Sequence, residues 1–70
     1  MKLIDKLTNR ELRLNQKVKT FRGDIVTLVD WKEPYDIDND PYSGARVYVK
    51  FDSGSRDEFY PSVINAIWVK

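Results

Sequence analysis

Seventy residues with 41% hydrophobic and 33% charged side chains make one small domain of ordinary globular composition, which excludes wholesale disorder. No apolar run exceeds four residues and no basic-then-apolar leader is visible, so a cytoplasmic protein with no membrane partner is expected. Cys and His are both absent at a net charge of +1, which excludes disulfides, thiolate metal sites, the commonest general base and the commonest transition-metal ligand.

At the start of the chain, Leu3, Ile4 and Leu7 stand at helical spacing among Lys2, Asp5 and Lys6. The spacing predicts about two helical turns over residues 2–8. A helix so short must dock its stripe on something, its own domain or a second copy of the chain. Leu12 and Leu14 alternate with Arg13 in an extended approach, so residues 1–15 read as a basic N-terminal helix or arm.

From Gln16 the pattern turns to strands. Lys17–Thr20 is a short half-buried strand, followed by the turn Phe21-Arg22-Gly23-Asp24. Ile25–Trp31 is apolar on both parities, which predicts either a central strand between two layers or a strongly bent one. Glu33–Ser43 carries two prolines and several Asp and Asn residues and reads as a loop, long enough to invite a functional question. Ala45, Val47, Val49 and Phe51 then share one face of a strand, with Arg46, Tyr48 and Lys50 on the other. A three-residue turn, Asp52-Ser53-Gly54, with Gly54 left-handed, would place Phe59 of the returning strand on the core face near Val47 or Val49. The outward set of that hairpin is Arg46, Tyr48, Lys50, Arg56, Glu58 and Tyr60, with Tyr48 opposite or diagonal to Glu58 and Lys50 a cross-strand partner for Glu58. Pro61–Ile64 suits a single helical turn, and Ala66–Val69 a final short strand.

The segment Glu58-Phe59-Tyr60-Pro61-Ser62-Val63-Ile64 is similar to the strand and Pro-containing turn that precede the last strand of SH3 domains. Lys17 to Val26 resembles the strand-turn-Gly-strand of KOW and Tudor-like modules. The resemblance spans about residues 16–70 at the level of the superfamily. It implies a mainly β, five-stranded SH3-like barrel, with one 3-10 turn before the last strand, and a binding function.

The residues offer little for catalysis. Asp57 and Glu58 are adjacent in a strand and point to opposite faces, and Ser53, Ser55 and Ser62 have no His to activate them. Asp36, Asp38 and Asp40 match the first positions of a Ca²⁺ loop, but Pro41 replaces the required Gly and Val47 the bidentate Glu, so a solvated loop is expected. No cofactor or metal is therefore implied, and the expected protein is not an enzyme.

Two binding surfaces compete. Trp31, Tyr35, Tyr42, Tyr48 and Tyr60, with Glu58 and the loop carboxylates, compose an aromatic and acidic surface suited to a protein partner. The alternative is nucleic acid: residues 1–22 hold seven basic and two acidic side chains, whereas residues 23–70 are net −4. Lys6, Arg10, Arg13, Lys17, Lys19 and Arg22 would then contact phosphates.

Overall fold

The computed structural model describes residues 1–70. Its strands in chain order are β1 (Lys2–Asp5), β2 (Lys17–Lys19), β3 (Ile25–Lys32), β4 (Arg46–Lys50), β5 (Arg56–Phe59) and, after a 3-10 turn at Pro61–Ile64, β6 (Ala66–Val69). There are six strands where five were expected. They form a four-stranded sheet, β2-β3-β4-β5, and a separate pair, β1-β6, instead of one closed barrel. No helix is long and apolar enough to cross a membrane.

The extra strand is the segment whose spacing predicts a helix. Leu3 is 1% exposed and lies opposite Trp68, while Ile4 faces Ile67 across the antiparallel ladder. A two-turn helix has a costly nucleus and few hydrogen bonds to offset it, whereas β6 offers a complete ladder. The chain then reverses. The Asp5 carboxylate accepts the Leu7 N–H at 2.8 Å, the Asp5 carbonyl accepts the Asn9 N–H at 2.7 Å, and Asn9 takes φ 60°. This turn leaves Leu7 77% exposed and brings Leu12 back to donate its N–H to the Leu3 carbonyl, with the Leu12 side chain buried. The N-terminal segment is thus half of the second sheet, and its supposed docking stripe is divided between core and solvent.

β3, whose double-faced apolar pattern allowed either a central or a bent strand, is interrupted by a shift of register. Its register against β4 runs Thr27↔Lys50 and Leu28↔Val49, then skips Val29 and resumes at Asp30↔Tyr48 and Trp31↔Val47. The extra residue is a bulge, and it changes parity. Val26 and Leu28 face inward before it, and Trp31 faces inward after it.

The β4–β5 hairpin has the expected register, with Val47↔Phe59 and Tyr48↔Glu58. Gly54 sits at φ 92° in the turn closed by the Phe51 N–H on the Ser55 carbonyl at 2.8 Å. Lys50, however, lies opposite Arg56 and not beside Glu58. The core joins both sheets: Leu3, Ala66 and Trp68 from the pair meet Val18, Val26, Leu28, Val47 and Val49 from the four-stranded sheet, and Ile64 of the 3-10 turn closes one end. Asn65 then restarts the chain in the left-handed region at φ 56°.

Candidate functional site

Strand alternation places one set of side chains on the face of the four-stranded sheet away from the core. The register arranges them in rows that run across the strands. The first row is Lys17, Thr27, Lys50 and Arg56, one residue from each of the four strands. The next is Asp30, Tyr48 and Glu58, and the third is Lys32 with Arg46. Lys19 lies at the edge opposite Ile25. The outer face therefore carries six cations against the carboxylates Asp30, Glu58 and, at its edge, Asp52.

In the third row Arg46 is tied to its surroundings and Lys32 has no ion pair. Arg46 Nε lies 3.5 Å from Glu58 Oε2, its Nη1 donates to the Ala45 carbonyl at 2.7 Å, and its guanidinium stacks on the Tyr60 ring at 4.2 Å. The first row is free. The molecule has two ion pairs, Arg46–Glu58 and Lys70–Asp38, so Lys17, Lys50 and Arg56 have no anionic partner. Two shallow hollows indent this face and share Val29 and Arg56; one is bordered by Tyr48 and Glu58, the other by Lys17, Thr27, Lys50 and Asp52.

The aromatic set expected to form one surface is dispersed. Tyr48, Glu58 and Tyr60 are together on the outer face. Trp31 is on the opposite face, packed perpendicular to Trp68 with ring centroids 5.5 Å apart. Its neighbour's indole N–H is the one buried side-chain polar atom without a hydrogen-bond partner. Trp31 is therefore part of the core wall, placed there by the bulge.

Tyr35 and Tyr42 belong to the β3–β4 loop. That loop is held around Ser43, whose hydroxyl accepts the Asp36 N–H at 2.9 Å and donates to the Asp40 carbonyl at 2.7 Å. Tyr35 is 84% exposed and lies against Gly44. Three of the four loop carboxylates already have partners: Asp36 accepts from Asn39, Asp38 pairs with Lys70, and Asp40 accepts the Tyr42 N–H. No group of three or more carboxylates is placed to hold a metal ion.

The basic set is likewise divided. Lys17 and Lys19 stand on the outer face, whereas Lys6 and Arg10 are on the turn after β1 and Arg13 on the approach to β2. Arg22 lies over Phe21 at 5.6 Å, beside a separate hollow bordered by Phe51, Phe59 and Val63. The sequence does not by itself group Lys32, Arg46, Lys50 and Arg56 with Lys17 and Lys19. Three of them belong to the outward set of the β4–β5 hairpin, so the signal was present. Only the β2–β3 pairing joins them to the lysines of β2.

The chain matches no protein-family model, no curated protein and no solved structure.

Proposed function

We propose that this chain is a non-catalytic binding module of the SH3-like type that receives an extended nucleic-acid strand across the outer face of β2-β3-β4-β5. The strand, Pro-containing turn and strand over Arg56–Val69 support the fold reading. The observation that carries the functional reading is the order of the rows: cations, then Tyr48 between Asp30 and Glu58, then cations again. Successive rows are about 6–7 Å apart along a strand.

That order suits a nucleotide repeat. A base can stack on the half-buried Tyr48 ring while its exocyclic amines donate to Asp30 or Glu58, and the flanking cations neutralise phosphates. A duplex is a poorer fit, because its bases are already stacked on one another. Tyr48→Ala is expected to weaken binding of a mixed-sequence single-stranded oligonucleotide about tenfold to a hundredfold, since stacking contributes roughly 1–3 kcal/mol per base. Amide NMR at low salt would locate the contact. Shifts absent from residues 46–58, or unchanged affinity in Tyr48→Ala, would sink the proposal.

A protein partner is the second reading, and it now has its own surface. The β3–β4 loop presents the 84% exposed Tyr35 beside Glu33 and Asp36. It would take a basic, extended segment, and Tyr35→Ala would remove that capture without touching oligonucleotide binding.

A further inference from the structure

Directly opposed like charges in a β ladder are unfavourable, yet Lys50 faces Arg56 and Lys17 stands in the same row, two strands from Lys50. Neighbouring strands are about 5 Å apart, so the three long side chains can reach one point above Thr27. None is relieved by an ion pair, although Glu58 is only two residues from Arg56 and is taken by Arg46 instead. All three line one hollow, with the Thr27 hydroxyl available as a neutral donor and Asp52 as its single carboxylate.

Ordinary sheets avoid such a row by alternating signs. Where a local rule is broken without compensation inside the molecule, the compensation is expected from outside it. We infer that Lys17, Thr27, Lys50 and Arg56 form a seat for one phosphate group. Arg56 supplies a planar two-pronged donor and the lysines compact charges. The inference deepens the proposed function and rests on it for the phosphate's being carried by a nucleic-acid strand. The same chemistry would accept either a terminal phosphate or an internal phosphodiester.

The test titrates three probes into the whole chain, read by amide and side-chain NMR: inorganic pyrophosphate, a single-stranded decamer, and that decamer with a 5′-phosphate. Each is repeated with Lys50→Gln and Arg56→Gln. Pyrophosphate should shift Lys17, Thr27, Lys50 and Arg56 together, and each variant should weaken the decamer about tenfold and lower the salt slope by about one. Tighter binding of the 5′-phosphorylated decamer assigns the seat to a terminal phosphate, and equal binding to an internal one. Both variants should melt at or above the parent temperature, because each relieves repulsion. Decamer binding that shifts Tyr48 but survives Lys50→Gln unchanged would overturn the seat and leave the proposed function standing. Pyrophosphate bound at the row with no decamer binding would do the reverse. Shifts spread over all surface cations, or a variant that unfolds earlier than the parent, would also overturn the seat.

Discussion

Replacing Trp31 by Ala separates a binding aromatic from a structural one. Trp31 is half-buried, packs on the core and meets Trp68 edge to face at 5.5 Å. Truncating a fully buried Trp or Phe costs about 3–5 kcal/mol, so the half-exposed ring should cost about 2–3, of which roughly 1 is the aromatic pair itself. A domain of this length has about 4–10 kcal/mol in all. Each kcal/mol shifts the melting temperature by about 4–8 °C at this size, so Trp31→Ala should melt about 10–20 °C early. Thermal melts by far-UV circular dichroism, with urea titration as a second measure, would read it. A loss within 3 °C would refute the assignment and return Trp31 to the exposed aromatics.

Two further substitutions test the parts of the fold that differ from sequence expectation. Leu3→Ala should cost about 2–5 kcal/mol, while Leu7→Ala should stay within about 0.5 kcal/mol by the same urea titration. Equal effects would restore a helical stripe. At Gly44, where φ is +69°, an added Cβ would lie 2.8 Å from Tyr35 Cδ1. Gly44→Ala should cost about 1–2 kcal/mol from the left-handed backbone alone, with a further increment that disappears in a Tyr35→Ala background. The same cost with and without the Tyr35 ring would show that the ring simply moves aside.

The proposed binding face sharpens the distinction between these positions. Tyr48, Lys50 and Arg56 are on the solvent side of a sheet whose opposite side is closed by Val47 and Val49, both fully buried. Their removal should therefore change binding at little cost in stability. Trp31, one bulge away in β3, should change stability first. Opposite faces of one sheet thus divide the aromatics that a linear reading places in a single surface.

What the sequence determined by itself is local. The alternation from Ala45 to Phe51, the three-residue turn at Asp52–Gly54 and the parity of Phe59 set the β4–β5 register, because each depends on residues a few positions apart. The 3-10 turn at Pro61–Ile64 is equally local: proline pre-sets the first helical φ. Tertiary structure alone decided the rest. Leu3, Ile4 and Leu7 satisfy a helical period, but residues 2–5 take a ladder with residues 66–69, more than sixty positions away, which no local period encodes. The skip at Val29 reverses parity along β3, and one such residue moves Trp31 from the outer face to the core. Lys17 is separated from Lys50 and Arg56 by more than thirty residues, and only the β2-β3-β4-β5 order brings three unpaired cations into one row. Turns and strand faces follow from neighbouring residues. Sheet partners follow from which edges are left to pair, and the candidate site is made of partners.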